Sequence, residues 1–184
     1  MHLERHEIER QIERLHRLLA ELRPARRSEA RRASLVVTDR IDLWGRYHHI
    51  DPEAEDILGY PPSHYQTEIG WVRFNHPEDR WRTAILWEKA LAGQPCPLME
   101  YRTHDTEGHW VWLQDSLRPV VFDLRGHALV VEGRWRDITA CKRRQAEFLL
   151  QQWEWLLRQN APAPRPTFGR IVRFPGSGAF RGTP

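Results

Sequence analysis

Residues able to do chemistry are spread thinly along this chain. His48 and His49 stand beside Asp51 and Glu53, four side chains of metal-ligating type. On an extended segment consecutive imidazoles point to opposite faces, so the pair cannot grip one ion without a bulge. Solvated or hydrogen-bonded histidines are expected there, and no metal site. Cys96 and Cys141 are the two cysteines, too few and too far apart for zinc; unpaired thiols of a reducing compartment are expected. For catalysis no set converges. The sequence has no Gly-rich phosphate loop, no His-Glu-x-x-His and no Ser with a matching His and carboxylate. Asp51, Glu53, Glu55 and Asp56 read as a helix cap followed by the wet face of a short helix.

The residues that remain are those a sheet would position. Residues 97–104, 109–122 and 127–136 alternate in polarity as three successive strands. Asp105-Thr106-Glu107-Gly108 and Asp123-Leu124-Arg125-Gly126 join them, each ending in a Gly that accepts positive φ. Such short turns make the strands antiparallel neighbours. Alternation puts Met99, Tyr101, Thr103, Val111, Leu113, Val131, Gly133 and Trp135 on the core face, with Glu100, Arg102, Trp110, Trp112, Glu132 and Arg134 on the other.

Before these strands, Leu35-Val36-Val37, Leu43-Trp44 and the stretch 47–50 suit two short strands. Asp51 as N-cap then starts a helix through Leu58, stopped by Gly59, and a further helical turn is expected around 63–69. Asn75-His76-Pro77-Glu78-Asp79 starts a longer helix, with Pro at its first position and two carboxylates facing the helix dipole. It is expected to run to Ala92 and stop at Gly93. Residues 1–23 carry Ile8, Ile12, Leu15, Leu19 and Leu22 at coiled-coil spacing, and Pro24 should end that helix. Residues 141–159, free of Gly and Pro, carry Phe148, Leu149, Trp153, Leu156 and Leu157 at helical spacing.

Charge divides the chain in the same places. Residues 1–34 hold nine basic side chains against six acidic, 35–136 hold eleven against sixteen, and 137–184 hold eight against three. The basic character therefore sits in the ends, and the middle does not read as a nucleic-acid binder. The tail, 160–184, is rich in Pro, Gly and Arg and without carboxylates; disorder is expected, and nucleic-acid contact through its arginines and phenylalanines is the outside alternative. No apolar run approaches the roughly 20 residues of a membrane span. Met1 is followed by charged residues rather than a signal-peptide core, and a cytoplasmic location with no membrane contact is expected. The chain divides into 1–34 (helix and basic connector), 35–137 (folded domain), 138–159 (exit helix) and 160–184 (tail).

The order of these elements resembles that of a PAS domain, and the residues agree. Asp51-Pro52-Glu53-Ala54-Glu55-Asp56-Ile57-Leu58-Gly59-Tyr60 is similar to the family's early helix with its Leu-Gly-Tyr ending. His76-Pro77-Glu78-Asp79-Arg80 resembles the start of its long helix, Glu100-Tyr101-Arg102 its first long strand, and Asp137-Ile138-Thr139 the motif leading into its signalling helix. The resemblance implies an α+β fold, a five-stranded antiparallel sheet with helices over one face, flanked here by amphipathic N- and C-terminal helices. It also implies a non-enzymatic sensory or interaction module that dimerises and relays a signal to a partner or separate output. A small-molecule receptor is the alternative.

On that resemblance the pocket would lie between long helix and sheet, lined by Phe74, Trp81, Ile85, Tyr101, Leu113 and Trp135. Haem-binding relatives carry a ligating His within the long helix; here residues 77–92 have none, and His76 sits at the cap. Flavin photosensors of the LOV type carry an Asn-Cys-Arg motif before that helix, where this chain has Arg73-Phe74-Asn75-His76. Trp135 stands where flavin-binding relatives carry a ring-contacting Gln. Neither cofactor is expected. Asp137 and Thr139 would form the relay hinge, both accepting N–H groups of the exit helix's first turn. A homodimer is expected through Ile8, Ile12, Leu15, Leu19 and Leu22, with Trp110 and Trp112 on the covered outer sheet face. The competing arrangement folds the N-terminal helix back over its own sheet.

Overall fold

The computed structural model describes residues 4–22, 29–67 and 71–159. Its elements run α1 (Arg5–Glu21), α2 (Glu29–Ser34), β1 (Val37–Asp42), β2 (Tyr47–Ile50), α3 (Glu53–Leu58) and α4 (Pro62–Thr67), then a 3-10 turn at Trp71–Phe74. They continue with α5 (Pro77–Leu91), β3 (Met99–His104), β4 (Trp110–Phe122), β5 (Ala128–Asp137) and α6 (Thr139–Gln159). The expected tail disorder over 160–184, the helix stop at Pro24 and the first part of the basic connector lie outside the described residues. The rest of that connector is helical, as α2.

The strands form one antiparallel sheet in the order β2-β1-β5-β4-β3. The five-stranded architecture expected above is therefore present. The two long hairpins close on Asx turns. Asp105 Oδ1 accepts from the N–H groups of Glu107 and His109, and Asp123 Oδ1 from those of Arg125 and His127, each at 2.8–2.9 Å. Gly108 (φ 81°) and Gly126 (φ 85°) complete these turns.

The core face carries Met99, Tyr101, Val111, Leu113, Val131 and Trp135, all buried, as alternation requires. Ile41, Ala54, Ile57 and Leu58 close the core from β1 and α3. Each fully buried aliphatic contributes about 1.5–3 kcal/mol, so this cluster is the main source of stability. Asp51 departs from its expected role. Its side chain takes the Thr38 N–H at 2.7 Å and meets His49 at 2.9 Å, leaving α3 without a side-chain cap. A carboxylate placed between two strands finds a backbone donor across the sheet closer than one in the following helix.

The ends of the chain meet each other. α1 packs along α6, and Ile8 is fully buried in that contact within a single chain. Leu22, 3 % exposed, makes a parallel bridge to Trp110 at the start of β4. These two positions of the expected dimer seam thus face their own chain. The helix does fold back on its own chain, but along α6 rather than over the sheet face, which among the described residues Leu22 alone bridges. It also corrects the picture of two bare tryptophans. Trp110 is half-buried with the His76 ring 4.6 Å away, and half-buried Trp112 has the Arg102 guanidinium 5.3 Å and the Lys142 ammonium 4.9 Å from its ring centre. Ile12, Leu15 and Leu19 are half-buried.

Candidate functional site

The long helix is fixed to the sheet by the start of its own sequence. His76 Nδ1 accepts from the Glu78 N–H at 3.2 Å, and the His76 N–H donates to the Arg102 carbonyl at 2.8 Å. Asp79, buried, then receives both the backbone N–H (3.0 Å) and the Nε–H (2.8 Å) of Arg102. Burial opposes its charge, and the Arg102 donors more than offset that, holding the carboxyl below its ordinary range. One turn on, Thr83 Oγ1 accepts from Asn75 Nδ2 at 3.2 Å. The helix therefore turns its polar buried side, Asp79 and Thr83, toward β3, followed by Leu86, Trp87 and Ala90.

That rotation corrects part of the expected pocket. Trp81 is 66 % exposed and Ile85 43 %, and both line a shallow surface groove with Pro97 and Leu98. The reason is phase: with Asp79 tied to Arg102, residues two and six further along the helix must point away. Phe74, Tyr101, Leu113 and Trp135 do line the interior cavity. Around it the structure adds Asp39, Tyr47, Tyr60, His64, Tyr65 and Asp115, among others. The cavity is small, about 40 Å³, and its lining includes the stacked rings of Tyr60 and His64, 4.5 Å apart.

Two acids define its chemistry. Asp39 lies over Gly133, whose N–H donates to Oδ1 at 3.2 Å, while the Trp135 indole Nε1 donates to Oδ2 at 2.9 Å. Asp115 Oδ2 accepts from the Tyr101 hydroxyl at 3.2 Å, and its Oδ1 has no hydrogen-bond partner among the described residues. Both carboxyls are about 4 % exposed. Burial pushes Asp39 up to about 6 against the pull of its two donors, and burial together with the Asp39 charge pushes Asp115 up to about 8. The same burial drives the hydroxyls of Tyr47 and Tyr101 well above the usual phenol range. Among the described residues that line the cavity there is no Lys or Arg.

The acids escaped notice because a charged residue in a strand is first read as a solvent-facing one. Parity was the available signal. Asp39 alternates in step with Val37 and Ile41, and Asp115 with Leu113 and Leu117, all four buried. The histidines first considered as metal ligands separate as expected of neighbours on a strand, His48 meeting Asp42 at 3.0 Å and His49 meeting Asp51. Cys96 and Cys141 are free thiols.

The strand that holds Trp135 ends at Asp137, the first of the two residues expected to form the hinge. Asp137 Oδ1 accepts from the Thr139 N–H at 2.8 Å, capping α6. Thr139 does something other than cap its own helix: its hydroxyl accepts from the Trp112 N–H at 2.9 Å, while the Ile138 N–H donates to the Trp112 carbonyl at 2.8 Å. The start of α6 is thus stapled to β4. Register places Leu113 opposite Asp137 and Asp115 opposite Trp135, so the cavity wall and the staple are two residues apart on the same strand pair.

Comparison with known proteins agrees with this architecture. A family profile described as "PAS fold" matches residues 47–134. The N-terminal domain of a diguanylate cyclase with PAS/PAC sensor from Marinobacter aquaeolei is 27 % identical, with a TM-score of 0.50, covering 58 % of this chain and 97 % of that one. A sensory box histidine kinase/response regulator from Burkholderia thailandensis E264 is 20 % identical, with a TM-score of 0.55 and coverage of 72 % and 95 %. The PAS domain of a Colwellia psychrerythraea protein is 20 % identical, with a TM-score of 0.51 and coverage of 62 % and 95 %. No curated protein matches. The sheet order, the helices over one face and the profile match together identify residues 47–134 as a PAS fold.

Proposed function

We propose that this chain is a non-enzymatic sensory module in which the state of the interior cavity sets the state of α6, and through it a partner or output. The observation that supports this most is the short bonded path. It runs from Asp39 to Trp135, along two residues of β5 to Asp137, and across to Thr139 and Trp112. Each link is a hydrogen bond or a backbone step, so a change in how Asp39 or Trp135 sits is felt at the helix start without long-range rearrangement.

Transmission by a helix pair suits a dimer. With α1 seated on α6, the remaining side of α6 still exposes Phe148, Leu149 and Trp155, an apolar stripe that a second copy would cover. No helix among the described residues is long and apolar enough to cross a membrane.

The test is amide exchange along residues 141–157 in the wild type and in an Asp137→Ala/Thr139→Ala variant. Faster exchange in α6, with β3, β4 and β5 still protected, is the expected result. Unchanged exchange in α6 removes the relay.

A further inference from the structure

The cavity is chemically one-sided, and that points to what it binds. It holds two carboxyl groups, on β1 and β4, with no Lys or Arg among its described lining residues and with His64 and His104 as the only basic side chains there. Asp115 Oδ1 is buried without a hydrogen bond of good geometry, the backbone N–H groups of Ser116 and Arg134 offsetting only part of the carboxyl's burial, and the Tyr65 hydroxyl also lacks a partner. Buried carboxyls left this way must either keep a proton or receive a positive charge. The other walls are aromatic: Tyr47 and Tyr65, whose rings are 5.4 Å apart, with Tyr101 and Trp135. Ring faces beside carboxylates attract cations and offer nothing to an anion.

We propose that the cavity receives a small primary ammonium group, its N–H donors meeting the oxygens of Asp115 and Asp39 and its alkyl end lying against the tyrosine rings. This rests on the sensory reading above and names its ligand class. An ammonium brings three donors, matching the open Asp115 oxygen, the Tyr65 oxygen and the remaining capacity of Asp39. A neutral alcohol brings one donor and leaves the acids as they were. Size limits the group further. A cavity of about 40 Å³, against the roughly 10–15 Å³ that holds one water on the same measure, admits a group of a few heavy atoms such as methylammonium.

The Trp135 indole N–H, bonded to Asp39, is a resonance that reports on the site directly. Methylammonium chloride, ethanol, sodium acetate and sodium chloride are titrated into the full chain at neutral pH and followed by that signal and by melting temperature. The expected result is a saturable shift with methylammonium alone, accompanied by a raised Tm. The affinity should fall at least tenfold in Asp115→Asn, which keeps the side chain's shape, and less in Tyr65→Phe. Saturable shifts with ethanol or acetate and none with methylammonium overturn the ammonium assignment and leave the sensory reading standing. A silent indole with all four probes overturns the assignment too. A methylammonium shift that persists undiminished in Asp115→Asn does the same. If methylammonium moves the indole while exchange in α6 stays constant, the site is real and it is the relay that fails.

Discussion

The indole Nε1 of Trp135 donates to Asp39 Oδ2 at 2.9 Å, and both side chains are buried. An aromatic ring placed to fill the core thus also serves as a donor to a buried acid. Trp135→Ala removes both roles and should cost about 3–5 kcal/mol in urea melts. Trp135→Phe keeps most of the bulk and leaves Asp39 short of a donor, for about 1–3 kcal/mol. A loss below about 1 kcal/mol for the Ala variant would show the ring to be dispensable to packing.

Gly133 is the other half of that arrangement. A Cβ at this position would lie 2.5 Å from Asp39 Oδ1 and 3.1 Å from its Cγ. Gly133→Ala should therefore displace the carboxyl and destabilise by about 1–3 kcal/mol. In an Asp39→Ala background the same substitution should cost distinctly less, because nothing remains to be displaced. Equal costs in both backgrounds, measured as a double-mutant cycle, would contradict the close approach.

Much of this was legible beforehand, and the failures share a cause. Strand parity, the Asp-x-x-Gly turns and the His76-Pro77 helix start are local signals, and each held because a single backbone geometry satisfies it. Trp81 and Ile85 read as inward because their spacing of four residues marks one face of an amphipathic helix. Yet the Asp79–Arg102 pair at 2.8 Å sets the helix rotation, and a tertiary ion pair between residues 23 apart leaves no periodic trace. Asp39 and Asp115 were hidden for the opposite reason: their parity was right and their charge argued against it. Which partner the α1 seam takes, α6 of its own chain or a second copy, is a question that heptad spacing does not address.

The acids predict an unusual pH dependence. Asp39 and Asp115 ionise near 3.8 in the unfolded chain and at about 6 and about 8 when folded. Between these values the folded state holds more protons than the unfolded one, so stability falls as pH rises. Their contribution is fully present at low pH and is lost through the folded values. Carboxyls held low, such as Asp79, act below about pH 4 and in the opposite sense, outside this window. The urea midpoint should drop between about pH 5 and about pH 8, and Asp115→Asn should flatten that drop and exceed wild-type stability at the upper end. A midpoint that climbs across the window would contradict the buried pair.

The exposed stripe on α6 predicts association. Light scattering should give about twice the 21.9 kDa of one chain at micromolar concentration. Phe148→Glu with Trp155→Glu should return it to one chain without shifting the domain's melt, since both residues are more than half exposed. A wild-type chain that stays monomeric throughout the soluble range would leave α1 on α6 as the complete assembly.

The coupling of cavity to helix is tested most directly by Trp135→Phe read at a distance. The substitution removes one N–H in the cavity and touches nothing in α6. Amide exchange over residues 141–157 should quicken by about tenfold more than exchange in β3, whose amides report the loss of overall stability, an excess equivalent to about 1.4 kcal/mol. Exchange in α6 identical to wild type, while the amides around Gly133 change, would mean that the cavity and the helix do not communicate.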